Sequence, residues 1–280
     1  MTNPFSQKLC IITGAGSGIG RALALDLAAR GAALALSDID AAGLEETKRL
    51  IGEPPTNRIR FDRLDVADAA AITAYAESVR ASLGAADYLF NVAGLTRIGS
   101  FEASPLSSFE QIMDVNFWGV VRMTKAFLPQ LLETKGGLVN ISSLFGLIGV
   151  AGQSHYCASK FAVRGFNESI AQELEEHGVR VTSVHPGGVA TRIVKNAAID
   201  HLPDDVDNRS AIEDNFDKLA ITSAERAAEI ILHGAAKGKR RVIVGRDARM
   251  ISFIQRLFPQ SYGKIMKLLF SGGNKKSVLQ

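Results

Sequence analysis

A chain of 280 residues, 46% hydrophobic and 22% charged with a net charge of +3, has the bulk for one large globular domain or two small ones. Two cysteines, Cys10 and Cys157, are too few for a disulfide framework and suit a reducing, cytoplasmic setting. No basic leader precedes a long apolar core, and no run reaches the ~18 apolar residues of a membrane span, so neither a signal peptide nor a transmembrane helix is expected.

In chain order, short apolar runs alternate with amphipathic ones. Residues 8–14 (KLCIITG) read as a buried strand, and 19–31 have the helical period with a glycine stop. A second strand is expected at 32–38 and a second helix at 41–52; strands at 59–66 and 87–94 flank a helix at 68–83. A long helix at 109–133, a strand at 137–143, a long helix at 154–177 and a strand at 178–187 follow. A helix at 223–237 and a short strand at 240–245 complete the pattern. Strands linked by such helices form a parallel sheet covered on both faces. The right-handed crossover rule makes it doubly wound, with ligands at the carboxyl ends of the strands. The expectation is one seven-stranded α/β domain over 1–245, an irregular segment at 190–222 suited to a mobile substrate lid, and an extension at 246–280.

The first strand runs into TGAGSGIG, Thr13 to Gly20. Gly14, Gly18 and Gly20 let the backbone turn tightly and bring a pyrophosphate to a helix N-terminus, with Ser17 and Ile19 between them. A glycine-rich turn alone is weak evidence; its place between the first strand and the first helix is what points to a dinucleotide. Asp38, eighteen residues beyond Gly20, sits where an acid accepts the two ribose hydroxyls of NAD and repels the 2′-phosphate of NADP. No base follows it, since the chain continues Ile39, Asp40. NAD is the expected cofactor and NADP the alternative. The competing reading of Asp38 is an acid that caps the following helix.

YCASK, residues 156–160, places a phenol and an ammonium one helical turn apart with only Cys157, Ala158 and Ser159 between them. In isolation that spacing is most simply a surface pair. The sharper reading is chemical. A phenol of pKa ~10 is a poor acid–base catalyst near neutrality, and a facing ammonium favours its phenolate. His155 and His185 have no partners at metal-ligand spacing, so no metal site is expected.

With TGAGSGIG, Asp38, NVAG at 91–94, YCASK and PGGVAT at 186–191, the chain resembles the short-chain dehydrogenase/reductase family over about residues 6–245. The resemblance implies a Rossmann-type sheet of order 3-2-1-4-5-6-7. It implies an adenine site at Asp65 and Val66, and a backbone path beneath the cofactor at Asn91, Ala93 and Gly94. A turn at Pro186, Gly187, Val189 and Thr191 would touch the nicotinamide amide. Val92 stands where the family's NNAG has a second asparagine, which weakens a structural hydrogen bond. The implied catalytic set is Asn116, Ser143, Tyr156 and Lys160, with Ser143 chosen over Ser142 because it precedes the tyrosine by thirteen residues. Tyr156 would exchange a proton with the substrate oxygen, and Ser143 would hydrogen-bond that oxygen. Lys160 would tune the phenol and hold the nicotinamide ribose, and Asn116 would anchor a proton-passing water.

After Ser143 runs LFGLIGVAG, which contains Phe145 and Val150, and Leu95 and Ile193 lie at the same rim. A pocket so lined suits a hydrophobic secondary alcohol or ketone (steroid, retinoid, lipid or xenobiotic-like) and offers an anion only Arg97 and Arg192. The expected reaction is interconversion of such a pair by hydride transfer. A dinucleotide sensor without turnover is one alternative, although a sensor has no need of a tuned phenol. An epimerase or dehydratase is the other, although those reactions usually bring a longer substrate domain. A homodimer or homotetramer is expected.

From Lys237 to Gln280 eleven Lys or Arg face one acid, Asp247, a surplus of ten, so the other 236 residues carry −7. That argues against nucleic-acid binding and leaves a basic tail on an acidic domain. In the tail Met250, Ile251, Ile254, Leu257 and Phe258 recur at helical spacing before Pro259, and Tyr262, Ile265, Met266 and Leu269 after it. Arg249, Arg256, Lys264 and Lys267 are interspersed. Two short amphipathic helices are expected, either packed on a neighbouring subunit or the substrate pocket, or docked peripherally on an anionic membrane surface.

Overall fold

The computed structural model describes residues 3–53, 58–202 and 209–270. Seven strands form the main sheet: β1 (Leu9–Thr13), β2 (Ala33–Asp38), β3 (Ile59–Arg63), β4 (Tyr88–Asn91), β6 (Gly137–Ile141), β7 (Arg180–Pro186) and β9 (Arg241–Val244). Their order is β3-β2-β1-β4-β6-β7-β9 with every pair parallel, which is the doubly wound order expected. The order reverses between β1 and β4, and in such a sheet the crevice at that switch point is where ligands bind.

Strand periodicity divides the core in two. Cys10 and Ile12 of β1 face a layer that includes Leu23 and Leu27 of α1 (Gly18–Ala29) and Ile231 of α8 (Ala224–Ala236). Leu9 and Ile11 face the opposite layer, with Ile72 and Val79 of α3 (Ala69–Leu83) and Met123 and Phe127 of α5 (Gly119–Thr134). Caps set two of the starts: the Asp68 carboxylate accepts the Ala71 N–H at 2.9 Å before α3, and the Ser223 hydroxyl accepts the Arg226 N–H at 3.1 Å before α8. Helix α2 (Ala41–Ile51) covers the β2 side of the sheet, and α6 (Ser154–Glu173) lies against β7.

Three features depart from the periodic reading. The helix expected at 109–133 is α4 (Leu106–Met113) and α5 joined through a π-helical turn at Asp114–Trp118. The helix expected to reach 177 ends at Glu173. The irregular segment at 190–222 contains β8 (Ala198–Ile199) and α7 (Arg209–Leu219); residues 203–208 of it lie outside the described residues. A single π turn leaves the hydrophobic period nearly intact, and a two-residue strand is too short to have one.

Strand β8 pairs in parallel with β5 (Arg97–Ile98), which follows the NVAG turn, and so ties the 190–222 segment to the rim of the sheet. A polar latch reinforces it. The Arg97 guanidinium pairs with the Asp200 carboxylate, whose side chain is 3% exposed, and the Ser108 hydroxyl donates to the same carboxylate at 3.1 Å. Arg97 holds the Asp200 carboxyl below its ordinary value of 3.8. Replacing Arg97 by Met leaves that carboxylate without its counter-charge, and a loss of about 1–3 kcal/mol in urea unfolding at neutral pH is expected. A carboxyl held down on folding stabilises fully above 3.8 and loses that contribution as the pH falls through the lower folded value. The gap between wild type and Arg97→Met should therefore narrow in acid. A gap that is constant across this range contradicts the latch.

Candidate active site

The glycine loop closes on itself at the end of β1. Gly14 has φ +70°, and a Cβ there would stand 2.7 Å from the Ala93 nitrogen; a Cβ on Gly20 would fall on the Gly14 carbonyl. Thr13 joins this loop to the NVAG turn, its hydroxyl accepting the Val92 N–H at 3.0 Å and the Ala93 N–H at 3.1 Å. Ser17 stands at the N-cap of α1 without a side-chain cap bond, and no acid occupies the first turn. The first-turn N–H groups, Ile19 and Gly20 among them, thus present the positive end of the helix to an anion. A loop whose backbone approaches this closely only through missing Cβ atoms, set against an uncapped helix start, fits a dinucleotide pyrophosphate.

Asp38 ends β2 beside the loop, where one carboxylate oxygen accepts the Gly16 N–H at 2.8 Å and the other the Asp40 N–H at 2.9 Å. The N-cap of α2 is Asp40, so the competing reading of Asp38 as that helix's cap is not what the structure shows. Each oxygen keeps a lone pair for a ribose hydroxyl. Asp65 accepts the Ala67 N–H at 2.9 Å in a local turn, and the side chain of Val66 packs on Gly119. Val92 packs against the core while its N–H serves Thr13. Of the PGGVAT turn, Thr191 lies against Gly18, Val189 bridges to Thr222, and Gly187 and Gly188 are held from the other side by Asp247. Pro186 closes β7 beside Val244.

The ends of β4 and β6 bring the four remaining candidates together. The Asn116 side chain, fully buried in the π turn, accepts the Leu95 N–H at 2.9 Å and donates to the Leu95 carbonyl at 2.9 Å and the Ser159 hydroxyl at 3.1 Å. Both its amide hydrogens are thus taken by protein, and only the second lone pair of Oδ1 is left for the water expected there. Ser142 and Ser143 have different partners. Ser142 donates to the Lys160 carbonyl at 2.8 Å, whereas the Ser143 hydroxyl accepts the Phe145 N–H at 3.0 Å and keeps its own proton to give. The Lys160 ammonium donates to the Ile141 carbonyl at 3.0 Å and lies 5.7 Å from the centre of the Tyr156 ring. A Cβ on Gly94 would sit 3.1 Å from Asn116 Oδ1 and 3.4 Å from this ammonium, so the NVAG turn presses on both.

Burial governs the charges. Tyr156 is 9% exposed and Lys160 3% exposed, so the pair does not lie on the surface. Burial pushes the Tyr156 phenol up to about 12, opposed by the nearby Ser143 hydroxyl, and pushes the Lys160 ammonium down to about 8. For the ligand-free protein this is the reverse of the sign expected for the phenol, and the loss of water sets it.

Among the rim residues, Phe145 stacks edge-on with Tyr156 at 6.1 Å, and Phe145 and Val150 join an apolar cluster with Leu144, Leu147 and Ile148. Leu95 is half-buried beside Asn116. Ile193 is half-buried after Thr191 and stays outside the cluster that its neighbour Val194 forms with Ile98, Ala197 and Ile212.

Several residues around the site escaped the motif reading. Arg21 donates to the carbonyls of Gly16 and Gly43 and to the Thr47 hydroxyl, which itself donates to Ala15 O at 2.8 Å, so both brace the glycine loop. A buried amide chain crosses the sheet, from Asn91 to Asn140 at 2.8 Å, Asn140 to Asn167 at 2.6 Å and Asn167 to Ser183 at 3.0 Å. Ser183 then meets His185 Nε2 at 3.1 Å, and His185 Nδ1 meets the Ser143 carbonyl at 3.1 Å. Burial pushes His185 down to about 4, so it is neutral; with Ser183 donating to Nε2, Nδ1–H donates to Ser143. The available signal was an asparagine inside a buried strand, which demands a partner.

The short chain dehydrogenase family matches residues 8–201. SadH of Mycobacterium tuberculosis is 46% identical over 266 residues, covering 94% of this chain and 95% of that protein. The (3R)-3-hydroxyacyl-CoA dehydrogenase of Homo sapiens is 35% identical over 200 residues, covering 68% of this chain and 77% of that one. In three dimensions a short chain dehydrogenase/reductase from Burkholderia phymatum in complex with NAD is similar at a TM-score of 0.82 and 24% identity, over 92% of this chain and 96% of that one.

The burial of Tyr156 has a direct spectroscopic consequence. An alkaline absorbance titration of the ligand-free protein, taken as wild type minus Tyr156→Phe, should show no phenolate step below the ordinary tyrosine value of 10.0. A step near neutrality would show that the ammonium already dominates.

Proposed function

The chain belongs to the short-chain dehydrogenase family of oxidoreductases, and within it we propose that it interconverts a hydrophobic secondary alcohol and its ketone with NAD, using Tyr156 as acid and base. The observation that carries this reading is the meeting of Tyr156, Ser143 and Lys160 beside a glycine cradle at the strand ends. Gly14, Gly18 and Gly20 would hold the pyrophosphate, Asp38 the adenosine ribose, and Thr191 and Lys160 the nicotinamide end. NAD when bound supplies the hydride acceptor that side chains lack.

The protein's own part is proton transfer and orientation. The Ser143 hydroxyl, already accepting from Phe145, donates to the substrate oxygen, and the Tyr156 hydroxyl gives or takes the proton there. The Lys160 ammonium stabilises the phenolate once it forms. Asn116 holds Leu95 and Ser159 in register around them. Phe145, Val150 and Leu95 supply apolar lining, and the charge of Arg97, one of two rim cations, is neutralised by Asp200. An uncharged, apolar substrate suits such a wall. The relative named for (3R)-3-hydroxyacyl-CoA supports the secondary alcohol as the reacting group, although its CoA portion is anionic. We place the protein in a reducing, cytoplasmic compartment on its two buried free cysteines, and as a homodimer or homotetramer that would cover exposed Trp118 and Phe161.

Nicotinamide absorbance against a panel of apolar secondary alcohols tests the reaction. Tyr156→Phe should keep NAD affinity and lower turnover by about 10²–10⁴-fold; activity within about tenfold of wild type, ~1.4 kcal/mol, means that the phenol is not the catalyst. Lys160→Ala should weaken both NAD binding and turnover.

Cofactor choice is tested separately. Wild type should prefer NAD, and Asp38→Ala with Ile39→Arg should move the preference toward NADP, since Ile39 is 54% exposed and an arginine there can reach a phosphate. Equal efficiency of wild type with both cofactors would refute the role assigned to Asp38.

A further inference from the structure

Helix α9 (Arg246–Leu257) has two apolar faces where the sequence pattern suggested one. The inner face, Ala248 and Ile251 with Ile254, packs with Tyr262 and Met266 of α10 (Tyr262–Phe270) on Leu144, Leu147 and Ile148 of the segment after Ser143. The Tyr262 hydroxyl fastens it by accepting the Gly149 N–H at 2.9 Å. Ile251 and Ile254 therefore face the protein, and the outer face is a different set. Met250, Phe253 and Leu257 are 47%, 63% and 54% exposed at i, i+3 and i+7, and Phe258 continues the stripe. Leu269 and Lys267 lie on α10, but their side chains are outside the described residues, as are residues 271–280.

Arg246, Arg249 and Arg256 are exposed on the same side of α9, and Lys264 is exposed at the start of α10. Asp247, the only acid after residue 241, is turned away and accepts the Gly188 N–H at 2.8 Å. The outward surface thus joins large apolar side chains to cations, and the one acid of α9 and α10 is turned away from it. We propose that this face of α9 docks on an anionic lipid surface, with Phe253 and Leu257 entering the headgroup boundary and the arginines meeting lipid phosphates. A second copy of the chain fits worse: a two-fold contact through this face would bring two arginine-bearing surfaces together, with like charges on both sides. Because the inner face of α9 backs the segment after Ser143, docking sets the apolar rim beside the acyl region. That last clause alone rests on the function proposed above. Among the described residues no helix is long and apolar enough to cross a membrane, so the contact is peripheral.

The test is co-sedimentation of the full chain with vesicles of phosphatidylcholine alone and of equal parts phosphatidylcholine and phosphatidylglycerol. Binding is expected only to the anionic vesicles and should be released by salt. Arg249→Gln with Arg256→Gln should weaken it about thirtyfold, from about 1 kcal/mol for each cation near the surface. Phe253→Ser with Leu257→Ser should weaken it as well, while turnover of a soluble alcohol stays at the wild-type level, since these exposed side chains carry neither the core nor the site. A wild-type chain left in the supernatant by anionic vesicles overturns the proposal, as does binding that neither pair alters. A wild-type oligomer that ignores vesicles and dissociates with Phe253→Ser and Leu257→Ser also overturns it, and gives the face to a second copy.

Discussion

The Lys160 ammonium lies 3% exposed with the Ile141 carbonyl as its hydrogen-bond acceptor at 3.0 Å, and the arrangement of the site follows from accommodating it. A cation taken out of water is costly, which is why burial brings it down to about 8. Keeping it there demands that β6 end where its last carbonyl reaches the ammonium, and that the NVAG turn pass over it without a side chain at Gly94. It also demands that α6 be fixed against β6, which the Ser142 hydroxyl does by donating to the Lys160 carbonyl. Asn116 completes the enclosure by joining Leu95 to Ser159 of α6. A hydrocarbon at this position would be easier to bury. In the reaction proposed above the retained charge would serve the adjacent phenol, whose own burial raises it to about 12.

The amide chain from Asn91 to His185 serves the same purpose at a distance. Central parallel strands are ordinarily apolar on both faces, yet Asn91 on β4, Asn140 on β6 and both Ser183 and His185 on β7 sit in consecutive strands, bridged by Asn167 of α6. Each donates to the next, so the chain has a direction, and it ends on the carbonyl of Ser143. A directional buried network of this kind, open only at the Asn91 Oδ1 among the described residues, favours one register among several that apolar packing would tolerate. Register matters because a one-residue slip of β6 would exchange Ser142 and Ser143. The substrate side is fastened independently, by β5 and β8 with Arg97 and Asp200, so the 190–222 segment is tied to the rim by parts that differ from those holding the phenol.

Much of this was legible from residue patterns. Short apolar runs located the seven strands and period-3.6 runs the helices between them, and glycines between β1 and α1 marked the cradle, because all depend on local chemistry. Asp38 was placed correctly at the end of β2, but its partners, the Gly16 and Asp40 N–H groups, depend on the loop's path. The π turn at Asn116, the two-residue strands β5 and β8, and the bracing by Arg21 leave no periodic trace, since each is decided by contacts distant in sequence. The sign of the phenol's shift was misread for a related reason: a spacing of four residues shows that two groups can meet, and says nothing of how much water is left around them. The tail was misread in its faces, since Phe253 points outward while Ile251 and Ile254 turn to the segment after Ser143.

The central claim is that the Lys160 ammonium brings the Tyr156 phenol into working range once the dinucleotide is in place. Carbon-13 NMR of labelled tyrosine, titrated with pH at saturating NAD in wild type and in Lys160→Met, tests it most directly. The account predicts that the wild-type Tyr156 signal titrates below the ordinary value of 10.0, and that the variant's stays above it. A phenol that titrates above 10.0 in wild type with NAD bound, or equally low in both proteins, would contradict the catalytic role of the buried ammonium.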